Sequence, residues 1–301
     1  MTEKYEFIVA EYATLAGDEA CAPTITQMCE WLGVSKSGYY DWMSRPQSET
    51  QKRREILKLK IKALFEANNE EYGYRRMTEA LRRGGDQADD ETVRKLMREL
   101  ELVPCQPKPW RHSLTEQGLA RPIPDRVNRD FSAEKPGEKM VGDITYIPTW
   151  EGWVYLALVI DCATRMIVGW AMDDNYKTPL ITSAVKMAAR NVKLSEGAVF
   201  HSDRGSNYTS AEYAEELKKL GILQSVGRTG ICYDNALAES VNGTVKVELV
   251  HRTVYATRQQ AMDDIACYIE LRYNRTRLHS ALGYRTPQEV MDELLEMQAA
   301  A

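Results

Sequence analysis

Apolar residues recur along this chain with changing periods, and the changes divide it. From Ile25 to Trp42 the spacing is helical, interrupted at Gly33-Val34-Ser35. Gly33 suits the left-handed residue that closes one helix and Ser35 can cap the next, so the stretch predicts helix, tight turn, helix. A helix-turn-helix of this kind presents Lys36, Ser37 and Tyr40 outward. A second helical pair follows. Met77, Ala80 and Leu81 share a face between Tyr74 and Arg83, Gly84-Gly85 breaks the run, and Asp89 or Asp90 can cap a helix through Val93, Leu96, Met97 and Leu100.

Proline then punctuates residues 104–139, at 104, 107, 109, 122, 124 and 136, which excludes helix and predicts a linker. Beyond it the period falls to two. Met140 to Thr149, Trp153 to Asp161 and Met166 to Met172 are apolar and β-branched, with connections short enough to force antiparallel pairing. Thr178-Pro179 predicts a helix start, Ala198 to Ser202 a strand, and Thr209-Ser-Ala-Glu212 a capping box. A strand over Ile222 to Val226 and a helix from about Asn235, capped by Asp234 or Asn235, complete the order βββαβαβα. The fold class is therefore α/β, a mixed five-stranded sheet flanked by helices and preceded by all-α helix-turn-helix segments. The C-terminal part is helical: Thr257-Arg-Gln-Gln260 and Thr286-Pro-Gln-Glu289 are start signals, and Ala261, Ile265, Tyr268 and Leu271/Arg272 continue the first of these helices. The resulting divisions are 1–47, 48–103, 104–139, 140–250 and 251–301.

Charge changes this picture more than composition does. The net charge of −5 argues mildly against nucleic acid, but residues 140–301 carry 16 basic and 20 acidic residues while Arg45 to Lys62 holds seven Lys/Arg against two Glu. A basic N-terminal part joined to an acidic C-terminal part suits a DNA grip attached to a metal-using site; solvated helix faces are the ordinary alternative. No apolar run reaches membrane length, and the six cysteines are scattered without a Cys-x-x-Cys. The expectation is a reduced, cytoplasmic protein without a membrane anchor.

Three acids stand out. Asp143 lies inside an apolar strand, where an unpaired charge is costly. Asp203 follows a strand at the sheet edge where α/β folds place ligands. Glu239 falls in the first turns of the next helix, with Lys246 two turns along the same face. Each alone reads equally well as a turn or cap residue. Asp161 predicts a turn cap beside Thr164-Arg165, Asp173 and Asp174 a solvated strand end, and His201 either a structural hydrogen bond or an approach to bound ions.

With thirty-five residues between Asp203 and Glu239, the chain resembles the DDE transposases and retroviral-type integrases, whose core is ribonuclease-H-like. The motifs DITYI (143–147), HSDRGSNY (201–208), YDNALAES (233–240) and YNRTRLHSALGYRTP (273–287) resemble more closely the catalytic second-frame protein of a large bacterial insertion-sequence family. Tyr72-Gly-Tyr-Arg-Arg76 and the Leu-Met-Arg-Glu run at 96–99 fit that family's upstream helical domain. The resemblance implies that Asp143, Asp203 and Glu239 are catalytic and hold two Mg²⁺ or Mn²⁺ ions, Asp143 bridging them. It implies cleavage at insertion-sequence ends followed by strand transfer, with terminal repeats and target DNA as partners. A homo-oligomer, a helix-turn-helix partner from the preceding reading frame and a nucleoid-associated location are further implications. Candidate DNA contacts are Lys246, Lys36, Tyr40, Arg75, Arg76, Arg272, Arg275 and Arg277. Alternatives are a DNA-binding regulator with an inactive core and a structure-specific nuclease. The sequence departs from the family at Met140 and Gly142, often Trp and Thr, at Asn207, often Gln, and at the acidic Asp89-Asp90-Glu91.

Overall fold

The computed structural model describes residues 1–15, 23–44, 46, 48–105, 123–227 and 235–300. The chain divides into two compact units, Met1–Lys60 and Ile61–Ala301. In the first, α2 (Ile25–Trp31) and α3 (Lys36–Ser44) form the expected pair, with Gly33 at φ +63° and the Ser35 hydroxyl accepting the Gly38 amide at 2.9 Å. Helix α1 (Thr2–Leu15), which the apolar pattern did not announce, adds Tyr5 and Ile8 to a core with Met28, Cys29 and Tyr39. Lys36 and Tyr40 are exposed, as expected.

The boundary between the units falls inside α4 (Glu49–Ala67), not at residue 48 or 103. Helices α5 (Tyr74–Arg83) and α6 (Asp90–Glu99) lie in the same compact unit as the sheet. Asp89 caps α6 by accepting the Thr92 amide at 2.9 Å, and Asp90 and Glu91 occupy its first turn. The acidic run is thus a helix start set against the positive end of the helix dipole.

The sheet has the order β3-β2-β1-β4-β5, with β1 (Lys139–Thr149), β2 (Gly152–Asp161), β3 (Ile167–Asp173), β4 (Val199–Ser202) and β5 (Leu223–Val226). The first three strands are antiparallel, and β4 and β5 continue from β1 in parallel. Both faces are buried. On one, Val154, Leu156, Leu158 and Ile160 meet α9 (Ala236–Glu248) and α10 (Arg258–Cys267); on the other, Ala157 and Val159 meet α7 (Thr178–Asn191) and α8 (Ala211–Lys219). Each such side chain contributes about 1.5–3 kcal/mol by leaving water. Residues 123–138, the described end of the linker, run beside the sheet: the Arg126 amide donates to Ser225 Oγ at 2.8 Å and the Val226 amide to Pro124 O at 3.3 Å. The prolines at 107, 109 and 122 lie outside the described residues.

Several caps sit one residue from where the pattern put them. α7 begins at Thr178, so Lys177 is its cap and Pro179 lies within the first turn. Ser210, not Thr209, accepts the Tyr213 amide of α8. Asn235 opens α9 but makes no capping bond; its side chain donates to Gly142 O at 3.1 Å, and Asp234 lies outside the described residues. The boxes Thr257–Gln260 and Thr286–Glu289 form as expected, the latter starting α11 (Pro287–Ala300). After α10 the helix widens into one π turn, Tyr268–Tyr273, shifting its phase so that Leu271 is 54% exposed while Ile269 and Tyr273 are buried.

Gly142 is explained by its neighbour: a Cβ there would collide with the ring of Phe200. Gly169 is tighter still, since its Cβ would strike the Ala184 carbonyl and the Ala188 amide, which are backbone and cannot turn aside. Gly169→Ala should lower unfolding free energy by about 1–3 kcal/mol. Gly243→Ala, in open space on α9, should raise it by up to ~1 kcal/mol. Urea midpoints of the two variants check both signs.

Candidate active site

The strand pairing delivers two of the three acids. Val141 of β1 lies opposite His201 of the parallel β4. Asp143 and Asp203 each follow two residues further along, Asp203 just beyond the strand. α9, packed across β1, carries Glu239 in its first turn. The three carboxyl groups share one electrostatic neighbourhood. Burial, the charge of Asp203 and, more weakly, that of Glu239 push Asp143 up to about 7, against the ordinary hydrogen bonds from Ile144 N and Asn242. Asp203 is raised by burial, opposed by the Gly205 amide and by His201. Glu239 is raised by partial burial and by Asp203.

Asp143 and Asp203 each accept from nearby donors. Ile144 N and Asn242 Nδ2 both donate to Asp143, at 2.8 Å. Gly205 N donates to Asp203 at 3.0 Å, and a Cβ at residue 205 would lie 3.0 Å from the same oxygen, so glycine keeps this turn tight. Among the described residues no three His, Cys, Asp or Glu side chains lie close enough to enclose one ion. The donor set is nevertheless that of a hard cation: three carboxylates, plus the buried Asn242 Oδ1, which has no hydrogen-bond partner among the described residues.

Lys246 joins the group from two turns along α9. Burial lowers its basicity, the charge of Asp143 opposes that shift, and its Nζ sits 4.7 Å from the Tyr146 ring centre. Tyr208 packs beneath, between Phe200 and Tyr213; burial and the charges of Asp143 and Asp203 hold its phenol protonated. Asn242 was not singled out from the sequence, although its place three residues after Glu239 put it on the same face.

The other acids and His201 are structural. Asp161 is fully buried and accepts from Gly137 N, Thr164 N and Thr164 Oγ1 at 2.8, 2.9 and 2.8 Å, the turn role its surroundings suggested. His201 Nδ1 meets Ser225 Oγ at 2.7 Å.

The basic residues divide. Arg75 and Arg275 are exposed. Arg272 is tied to Glu71 at 2.6 Å and to Asn68 Oδ1 at 3.1 Å. Arg277 is 5% exposed and grips Glu248 at 2.8 Å, with Arg76 on the same carboxylate at 3.4 Å. Arg272 and Arg277 are therefore interior ion-pair residues, not members of a surface cluster, because each finds its acid far away in sequence. Burial alone would raise Glu248; its bonds to Arg277 and Tyr268 outweigh burial and hold it below the ordinary carboxylate range.

This order of strands and helices is that of an integrase core, a class of nucleotidyl-transferring enzymes. Residues 133–232 and 220–287 match two integrase core domain families, and residues 51–110 match an HTH-like domain. The transposase of insertion sequence element IS904 from Lactococcus lactis is 37% identical over 247 residues, 82% of this chain and 98% of that protein. Transposase InsF of insertion sequence IS3A from Escherichia coli K12 is 34% identical over 290 residues, 95% of this chain and 97% of that protein. Among solved structures, the HTLV-2 integrase catalytic core domain in complex with magnesium aligns with 52% of this chain and 97% of its own, at 16% identity and a TM-score of 0.40. The chain belongs to the integrase-core transposases of insertion sequences, whose reaction is the cleavage and transfer of DNA strands. No helix among the described residues is long and apolar enough to cross a membrane.

Two predictions follow from the charges. Because Asp143 is raised from 3.8 to about 7, the fold binds its proton more tightly than the unfolded chain does. Its stabilising contribution is complete below the unfolded value and lost as pH rises through about 7. In chelator, Asp143→Asn should raise the thermal midpoint near pH 8 by on the order of 5 °C, with the gain vanishing below about pH 4; melting curves across pH test this. Arg277→Ala should cost about 3–5 kcal/mol by stranding Glu248, whereas Arg275→Ala should stay within about 0.5 kcal/mol, measured by chemical denaturation.

Proposed function

We propose that Asp143, Asp203 and Glu239 are the catalytic carboxylates of a transposase that cleaves insertion-sequence ends and transfers the freed strands to target DNA. The observation that carries this reading is the coupling of the acids: residues from a strand, a strand end and a helix, spread over most of the core sequence, bring charges to bear on one another. An uncompensated group of this kind is disfavoured in a fold unless it serves a task.

The three carboxylates and their hard oxygens would hold divalent cations, Mg²⁺ or Mn²⁺, two per site. When bound, such ions supply electrophilic activation of the phosphodiester and of the attacking oxygen. The chain's own residues do the rest. Asn242 fixes the orientation of the Asp143 carboxyl through Nδ2. The Gly205 turn leaves room for a nucleic-acid backbone to approach Asp203. Lys246, half-buried beside the acids, offers a point charge to a phosphate. Exposed Lys36, Tyr40, Arg75 and Arg275 are available for DNA contact elsewhere. Handling two element ends at once calls for at least two copies, and end recognition is shared with a helix-turn-helix protein from the preceding reading frame. A nucleoid location follows from binding DNA.

A strand-transfer assay on element-end duplexes with Mn²⁺ tests the reading. The wild-type chain should nick and join, while Asp203→Asn should lose joining to background and still bind the duplex. Undiminished joining by Asp203→Asn would remove the proposal. Nicking without joining would leave only a nuclease.

A further inference from the structure

On the side of α9 turned away from Glu239 and Lys246, the structure holds a second polar feature. A cavity of about 420 Å³ opens there, lined by Arg76, Arg165, Arg277 and His279 and by the hydroxyls of Ser240 and Thr244. Among the described residues no aspartate or glutamate lines it. Arg76 and Arg277 share Glu248 behind the wall, and Glu71, also near Arg277, is taken by Arg272, so four guanidinium groups stand against two carboxylates.

Arg165 makes the excess conspicuous. It sits in the turn after β2 at φ +60°, a conformation uncommon for a side-chain-bearing residue. Its amide donates to Asp161 O at 2.9 Å, and Tyr273 Oη donates to its carbonyl at 3.3 Å, so the backbone is held on both sides. The half-buried guanidinium itself has no hydrogen-bond or ion-pair partner among the described residues. An arginine that has no partner among the described residues and lines a cavity with two others is repelled by them until an anion enters. His279 senses the same field. Burial and the charges of Arg277, Arg76 and Arg165 push its imidazole down to about 3 against Glu248, so it stays neutral and accepts from Arg277 Nη1 at 3.1 Å.

The helix relates this pocket to the acids. At 3.6 residues per turn, Ser240 and Thr244 lie about 100° and 140° around α9 from Glu239, so the helix stands between the pocket and the acids. Planar guanidinium forks and the Ser240 hydroxyl suit the oxygens of a phosphodiester, while the Thr244 hydroxyl donates to Ser240 O at 3.0 Å.

We propose that this pocket binds a backbone phosphate of the DNA strand that passes the carboxylates, with Arg165 as its principal ligand. The proposal rests on the reading of this chain as a DNA strand-transferring enzyme, and adds a second anchoring point that holds the strand against α9.

The test uses the full chain and an element-end duplex in chelator, followed by fluorescence anisotropy at several salt concentrations. Arg165→Gln should weaken binding about tenfold and make the salt dependence shallower by about one counterion. Arg165→Lys should restore the salt slope but not the full affinity, which a merely structural role would not do. Unchanged affinity and slope in Arg165→Gln overturns the proposal. Phenylglyoxal modification of the wild-type chain, mapped by mass spectrometry, gives the answer even if a variant fails to fold. DNA should protect Arg165, and equal modification with and without DNA also overturns the proposal. Protection by inorganic phosphate but not by DNA assigns the pocket to a free anion and overturns it equally. Failure of wild-type joining with Arg165 still protected removes the strand-transfer reading and leaves the pocket standing. Absence of any duplex binding removes both.

Discussion

The parallel pairing of β1 with β4 is the constraint on which the site depends. With Val141 opposite His201, Asp143 lies two residues further along β1 and Asp203 just past the end of β4, and neighbouring strands lie only about 5 Å apart. Any sequence that keeps this pairing and these two residues must crowd two carboxyl groups together. A slip of one residue would turn one of them to the opposite face of the sheet. The register thus fixes the site before any side chain has chosen a rotamer, and the antiparallel partner β2, with Asp143 opposite Leu158, holds that register from the other side.

The crowding has an energetic meaning. Asp143 resists ionisation because burial and Asp203 both oppose its charge. The fold offsets part of that cost with Asn242 and Lys246, both contributed by α9. It leaves the rest uncompensated. Under the proposed function, this remainder is what a divalent cation relieves on entering, so part of the ion's affinity is stored as repulsion in its absence.

Much of this was legible in the order of the residues, and the exceptions have a common cause. Strand alternation, glycine stops and the Thr257 and Thr286 boxes are local signals, and each gave its element. Asp161 was readable as a turn cap because its partner Thr164 is three residues away. The acids were readable only together, and chiefly through resemblance, since each alone passes for a cap. Arg272 and Arg277 were misjudged because their acids, Glu71 and Glu248, approach only once the chain has folded. The cap of α8 slipped by one residue because the adjacent Thr209 and Ser210 compete for the same amide, whereas α7 starts after Lys177 with no side-chain cap. The pocket around Arg165 draws on five separated segments and left no trace in any one of them.

The widened turn at Tyr268–Tyr273 also governs what comes after it. Asn274 bonds the Ile167 amide and carbonyl at 3.0 Å each, and Arg277 reaches Glu248, only because a surplus residue has rotated both by roughly a quarter turn relative to regular α-helix. The segment therefore works as an angular spacer. Its length matters more than the identity of its solvent-facing residues: a single deletion would swing the asparagine off the sheet and the arginine off its acid in one movement.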